Sequence, residues 1–272
     1  MNQYKLSAAL KTGKGCVRTN NEDAFYFNGK YAELEDMDRE TALSGLFLEN
    51  RALFAVCDGM GGYENGELAS YTAVSNMQKL HLELSSSSFS SAVAEWVNAA
   101  NSAILEIAGE GGCTLAMLFF DSGKISLAHI GDSRIYMLRH GKLSRLTKDH
   151  SKIQVLLDAG VITAEEAETH PEKHRITRAL GRYQEDSGKC LPDIQESLPA
   201  ENGDRYMICS DGVTEMLPDS RIESILAEGK NAAECAESIY GESLKAGGKD
   251  NTSVIVIDTD RMDPGEKETP GL

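Results

Sequence analysis

Apolar runs of strand length recur along the 272 residues, at 25–27, 53–57, 113–120, 125–130, 135–138, 206–209 and 254–257. Most are short and rich in β-branched or aromatic residues, as buried strands are. Helical spacing appears instead in Val93, Trp96, Val97, Ala100, Ile104 and Ile107, which places one apolar stripe along a single helix face. The stripe around Trp96 reads as core. Two further helices are expected, over about 67–84 and about 232–244, and the serine-rich run 85–91, too polar for a core, reads as the connection between the first two helices.

Helices and strands do not alternate strictly. Two helical segments fall between strands, and then three strands follow one another at 113–120, 125–130 and 134–139, joined by Asp121-Ser122-Gly123-Lys124 and by Gly131-Asp132-Ser133. Links this short predict hairpins and therefore antiparallel pairing. Sheets with helices packed on them, rather than a doubly wound parallel sheet, are the better reading. The acidic segment 28–50 is long for a strand connection and is expected to be a surface excursion. Residues 151–188 carry short helical signals, including the capping-box pattern Thr163-Ala164-Glu165-Glu166. The end, 261–272, is expected to be disordered.

Composition narrows the function classes. The chain has 27 Lys+Arg against 43 Asp+Glu, a formal net charge of −16. Such a surface repels phosphate backbones and anionic membrane faces, which excludes electrostatically driven binding to nucleic acid or lipid. With 41% hydrophobic and 26% charged residues, the chain is ordinary for a packed protein. No run approaches the roughly 18 to 20 apolar residues of a membrane span. The start lacks the build of a signal peptide, so a cytoplasmic location is expected. The six cysteines form no C-x-x-C pair and are read as small buried hydrophobes in a reducing compartment.

The chemistry is signalled by where aspartates fall. Asp58 ends the run 53–57 and precedes Gly59-Met60-Gly61-Gly62; Asp132 follows 127–131; Asp211 follows 206–210 and precedes Gly212; Asp250 comes just before 254–257. Any one of these taken alone reads as a turn. Four carboxylates converging from strand ends would repel one another unless a cation neutralised them, so a cluster implies a hard divalent ion, Mg2+, Mn2+ or Ca2+. The adjacent glycines would let a backbone carbonyl reach it.

Read in order, seven segments resemble the motifs of the metal-dependent protein phosphatases, the protein phosphatase 2C family. They are Val17-Arg18-Thr19-Asn20-Asn21-Glu22-Asp23; Asp58-Gly59-Met60-Gly61-Gly62 with Gly66-Glu67-Leu68-Ala69-Ser70; Ile130-Gly131-Asp132-Ser133-Arg134; Leu146-Thr147-Lys148-Asp149-His150-Ser151; Arg175-Ile176-Thr177-Arg178-Ala179-Leu180-Gly181; Ser210-Asp211-Gly212-Val213-Thr214; and Gly248-Lys249-Asp250-Asn251-Thr252-Ser253. The resemblance runs from about 5 to 258, and 146–181 looks most like the bacterial branch that opposes Hanks-type Ser/Thr kinases.

The resemblance implies one catalytic domain over 1–260, an α/β (α+β) fold built as a four-layer αββα sandwich of two mainly antiparallel sheets flanked by helices. By similarity, Asp58 bridges two Mn2+ or Mg2+ ions, with the Gly59 carbonyl on the first and Asp211 and Asp250 on the second. Glu22 and Asp23 orient water around the ions. Asp132, with Asp211, matches a third, weaker ion, and Arg18 clamps the substrate phosphate. The implied activity is hydrolysis of phosphoserine and phosphothreonine in proteins by a metal-activated bridging water. No cysteine lies in a C-x5-R loop, so no covalent nucleophile is indicated.

Some positions depart from the family or admit a structural reading. Many eukaryotic relatives carry a histidine where Met60 stands, so a proton donor must be found elsewhere. His150 is the tempting candidate, although a lone histidine at a loop start is more often structural. His170 and His174 read as surface and His129 as packed. Arg134 and Arg178 read as partners of nearby carboxylates, and Asn251 as a residue fixing loop geometry. The segment 151–188 corresponds to the family's flap beside the active site. The expected partners are phosphorylated proteins, a cognate Ser/Thr kinase among them, met by a monomer. The competing reading is a catalytically silent metal-binding adaptor of the same fold; a partner-switching phosphatase with one narrow substrate is a third.

Overall fold

The structure, a computed structural model, describes residues 4–48, 51–60, 65–181 and 190–261. In chain order the strands are β1 (Tyr4–Gly13), β2 (Asp23–Phe27), β3 (Thr41–Phe47), β4 (Arg51–Met60), β5 (Gly112–Cys113), β6 (Leu115–Asp121), β7 (Lys124–Ile130), β8 (Arg134–Arg139), β9 (Lys142–Arg145), β10 (Asp193–Pro199), β11 (Arg205–Cys209) and β12 (Thr252–Arg261). The helices are α1 (Gly66–Ser75), α2 (Met77–Glu83), α3 (Phe89–Ile107), α4 (Lys152–Asp158), α5 (Ala164–Glu168), α6 (Asp211–Thr214), α7 (Asp219–Ala227) and α8 (Ala232–Lys245).

Two sheets result, one in the order β3-β1-β12-β11-β8-β9 and the other β10-β7-β6-β4-β2, with β5 on the end of β4. Every pairing is antiparallel. The central strands are apolar throughout because each faces two cores. Along β4, Leu53, Ala55 and Cys57 join the core under α1, α2 and α3, whereas Ala52, Phe54 and Val56 point between the sheets. Along β12, Ile255 and Ile257 face the other sheet, and Val254 and Val256 pack under α7 and α8. This is the period of two of a strand, divided between layers. The four layers are therefore helices, sheet, sheet, helices, the expected αββα sandwich.

Between the sheets, the rings of Phe27, Phe47, Phe54, Phe120 and Tyr206 meet edge to face, with centroids 5.2 to 6.2 Å apart. Such pairs contribute about 0.5–1.5 kcal/mol each beyond their burial. Helix α3 starts where Ser88 accepts a hydrogen bond from the Ser91 N–H, and Trp96 is 4% exposed on its buried stripe. The Thr163 and Glu166 capping box forms as expected, opening α5. No helix among the described residues is long and apolar enough to cross a membrane.

Several expectations are corrected. The single helix over 67–84 is two, broken at Asn76, whose side chain donates back to the Thr72 carbonyl at 2.8 Å. Residues 28–50 are not wholly an excursion: β3 lies within them as an edge strand, with Leu43 and Phe47 turned inward and Leu46 outward. Central β1 carries no apolar run because small Ala8 and Ala9 fill its middle. Of the six free thiols, Cys16 is exposed and the other five are buried. Residue 261 closes β12; the rest of the expected tail, and residues 182–188 of the flap, lie outside the described residues.

The most consequential correction concerns 125–139. β6 and β7 form the expected hairpin, but β7 and β8 do not pair. The chain crosses from one sheet to the other at Gly131, whose φ of +103° turns it where a side chain would be strained. Asp132 is thereby set at the junction of the two sheets.

Candidate metal centre

The same end of both sheets supplies the candidate ligands. Asp58 lies near the end of β4 and pairs in register with Asp23 at the start of β2. Asp211 opens α6 directly after β11, and Asp250 immediately precedes the neighbouring β12, so these two leave adjacent strands. With Asp132 at the sheet crossing, the carboxylates the sequence singled out converge. Asp58 is held well above the usual carboxylate range by burial and then by Asp23, Asp211, Asp132 and Asp250. Asp211 is raised by burial, Asp132 and Asp250, and Asp23 and Asp132 are each pushed up to about 7, chiefly by burial.

Backbone and hydroxyl groups fix the loops that carry them. Thr114 accepts from the Asp58 N–H and donates its own N–H to the Asp58 carbonyl, both at 2.9 Å, and its hydroxyl meets Ser133 Oγ at 2.6 Å. The Asp58 and Asp132 loops are thus tied through one side chain. Ser210 donates to Asp23 Oδ2 at 2.7 Å and accepts from the Ser253 N–H at 3.0 Å, which ties β2 to β11 and β12. Asn251 accepts from the Glu22 N–H at 2.8 Å and donates to the Asn20 carbonyl at 2.8 Å. Gly59 donates to the Glu22 carbonyl at 3.0 Å, and a side chain there would meet the Gly66 carbonyl oxygen at 2.2 Å, so only glycine fits.

A divalent cation suits this donor set. Asp132 Oδ1 and Asp23 Oδ1 are buried without a hydrogen-bond partner, and no described residue donates to the side-chain oxygens of Asp58 or Asp211. Buried carboxylates left unpaired cost on the order of several kcal/mol each unless a positive charge compensates them. Asp58, Asp211, Asp250, Asp132 and the Gly59 carbonyl could supply the ligands, all oxygen, as Mg2+ and Mn2+ prefer. Glu22, also raised by burial, and Asp23 stand behind them.

At the rim, half-exposed Arg18 donates to Asp250 Oδ2 at 2.6 Å, and its other N–H groups have no partner among the described residues. The segment expected to be a flap is anchored at its returning end by paired backbone bonds between Cys113 and Leu180, 3.1 and 2.9 Å long. A cleft of about 560 Å3 lies beneath it, with Asp132 and Asp211 among its walls.

Other candidates fall outside the cluster. Arg134 is bound by Asp149 in a fork of 2.7 and 3.1 Å, and Arg178 is held by Asp193 at 2.8 Å. His129 is 1% exposed, and His150, 5% exposed, gives both ring nitrogens to Gly131 and Asp193. His174 is exposed as expected, but its Nδ1 lies 2.6 Å from Glu215 Oε1, and ligand atoms of His174, Glu215 and Asp211 lie within 4.8 Å of one another. Glu215 falls one helical turn after Asp211, the only sequence signal for that contact.

Fold and donor set together define a protein built to hold divalent cations between the ends of two sheets. The chain belongs to the protein phosphatase 2C family, whose family model, described as protein phosphatase 2C, matches residues 38–245. It is 34% identical over 269 residues to the serine/threonine protein phosphatase PstP of Mycobacterium tuberculosis, covering 97% of this chain and 47% of that relative. The chain thus spans about half the length of that relative. It is 30% identical over 270 residues to the serine/threonine phosphatase stp of Listeria welshimeri, covering 96% of this chain and 98% of the relative. A crystal structure of the PstP catalytic domain with two manganese ions superposes with a TM-score of 0.74 at 32% identity, covering 94% of this chain and 99% of that one.

Proposed function

We propose that the chain is a Mn2+- or Mg2+-dependent protein serine/threonine phosphatase whose catalytic unit spans 1–260, and that it removes phosphate from phosphoserine and phosphothreonine in cytoplasmic proteins. The observation that carries this reading is the convergence of Asp23, Asp58, Asp132, Asp211 and Asp250 with Arg18 at the rim. The names of the relatives and the two manganese ions in the PstP structure support it. A cognate kinase and its substrates are the partners this chemistry requires.

When bound, two divalent ions supply Lewis acidity and a water acidic enough to attack phosphorus at neutral pH. The chain's own residues provide the rest. Asp58, Asp211 and Asp250 set the positions of the cations, Asp132 with Asp211 offers a third and weaker position, and Thr114, Ser210 and Asn251 keep the ligand loops from shifting. Asp23 and Glu22 accept hydrogen bonds behind the ligands and so orient water. Arg18 swings its free N–H groups onto the equatorial phosphate oxygens, where a planar fork of donors fits best. Met60 offers no proton. The described part of the flap, 151–181, borders the approach and selects which phosphoproteins enter.

Release of inorganic phosphate from a phosphothreonine peptide with Mn2+, abolished by chelator and restored by added Mn2+, is the expected result. Tight binding of the peptide without any release would instead identify a silent adaptor.

A further inference from the structure

Asp132 is half-buried beside the cluster. Its Oδ1 has no hydrogen-bond partner among the described residues, so the carboxylate's aim is set by the loop beneath it. That loop is held by His150. The His150 N–H donates to the Gly131 carbonyl at 2.7 Å, and the Gly131 N–H donates to His150 Nδ1 at 3.1 Å. One residue therefore holds both polar groups of Gly131, next to Asp132. Gly131 lies close against Thr114, since a Cβ added at this position would stand 2.6 Å from Thr114 Cγ2, so only glycine fits here. The ring of His129 packs against that of His150 with centroids 4.6 Å apart.

The tautomer follows from the geometry. Nδ1 accepts, so the proton is on Nε2, which donates to Asp193 Oδ2 at 3.1 Å on β10. The other oxygen of Asp193 accepts from Arg178 at 2.8 Å, and the His150 carbonyl accepts from the Thr177 N–H at 2.7 Å. Arg178 and Thr177 both belong to the returning limb of the flap. A continuous chain of hydrogen bonds thus runs from the seat of the flap to the loop of Asp132.

We propose that His150 is a positioning residue, which fixes Asp132 for cation binding and couples that carboxylate to the flap through Asp193, Arg178 and Thr177. The inference rests on Asp132 being a ligand of the third, weaker ion. It gives the ring a task in metal affinity and none in proton donation.

The test is Mn2+ titration of the whole protein followed by electron paramagnetic resonance of the unbound ion, together with amide exchange of Gly131 by NMR in chelator. His150→Gln keeps a donor toward Asp193 but removes the acceptor for Gly131. It is expected to weaken the weakest Mn2+ site about 10- to 100-fold, the range for residues that orient a ligand, while the tighter sites stay within about twofold. Gly131 exchange should quicken about 3- to 10-fold with the loss of one hydrogen bond. His150→Asn, whose oxygen can stand near Nδ1, should restore most of both. Asp193→Asn leaves the ring in place and should weaken the same site by a smaller factor, which serves if the His150 variants fail to fold. A His150→Gln protein with unchanged Gly131 exchange and an unchanged weakest site, or one in which all sites weaken alike, overturns the proposal. If Asp132→Ala loses the weakest site while His150→Gln keeps it, the proposal fails alone; if Asp132→Ala binds Mn2+ like the parent, the ligand reading fails and takes the proposal with it.

Discussion

Arg18 and Asp250 are joined at 2.6 Å across 232 residues of sequence, which ties a rim cation to the carboxylate cluster. Burial pulls the guanidinium's pKa down, but the attraction of Asp250 outweighs it, so Arg18 stays charged and can exchange one oxyanion for another. Arg18→Ala is expected to lower kcat/KM toward a phosphothreonine peptide about 10- to 150-fold, the worth of one charge-assisted contact, with Mn2+ stoichiometry intact. Arg18→Lys should fall between, since an ammonium lacks the fork. Steady-state kinetics of the three proteins check this; a full-strength alanine variant contradicts it.

Thr114 links the Asp58 and Asp132 loops through its hydroxyl. Thr114→Val preserves shape but strands the Asp58 N–H in a buried place, at a cost of about 1–3 kcal/mol. For a chain of this size the melting temperature should fall by about 2–10 °C. Thermal unfolding in chelator measures it, and an unchanged midpoint would mean that the hydroxyl carries no load.

The raised carboxylates make a pH prediction with a definite sign. Asp23 and Asp132 sit near about 7, against an ordinary 3.8, so between these values the folded protein holds protons that the unfolded chain has released. Metal-free stability is therefore present at the acid side and lost as pH rises through the folded values. Asp58 and Asp211 shift in the same direction. His129, which burial lowers to about 4, and His150, which burial also lowers, oppose them below the ordinary 6.5, two groups against the four aspartates and Glu22. The melting temperature in chelator should be higher near about pH 5.5 than near about pH 8. Mn2+ at about 100 times its Kd should add about 2.7 kcal/mol at the higher pH and reverse the order. A metal-free protein most stable at alkaline pH contradicts the cluster.

Much of this was legible in the sequence where a residue's neighbours are near in the chain or its environment is uniform. Strands buried on both faces, β4, β6, β11 and β12, announce themselves as apolar runs, and four aspartates at strand ends, three of them beside a glycine, mark the carboxylates. What was hidden depends on distant partners. Gly131 reads as a hairpin turn because its neighbours look like one, yet the chain there changes sheets. β1 is central but small-residued, and β3 borrows its place from β1. His150 finds Asp193 43 residues away, and no periodicity connects His174 to Glu215.

That last contact yields a prediction about motion. His174 and Glu215 form an exposed pair at 2.6 Å, and such pairs add about 0–1 kcal/mol to global stability. His174→Ala should leave the melting temperature within about 2 °C. Amide exchange over 163–178 should nonetheless quicken, because the pair holds the flap to α6. Equal exchange in the two proteins would show that the flap is held elsewhere.

The central claim is that the carboxylates at the sheet ends form a catalytic metal site, and Asp211→Asn tests it most directly. The variant keeps the shape of the side chain and removes the charge. Assayed with Mn2+ on a phosphothreonine peptide, it is expected to lose about two or more orders of magnitude in kcat while circular dichroism and melting remain those of a folded protein. Turnover near that of the parent, at saturating Mn2+, would contradict the account.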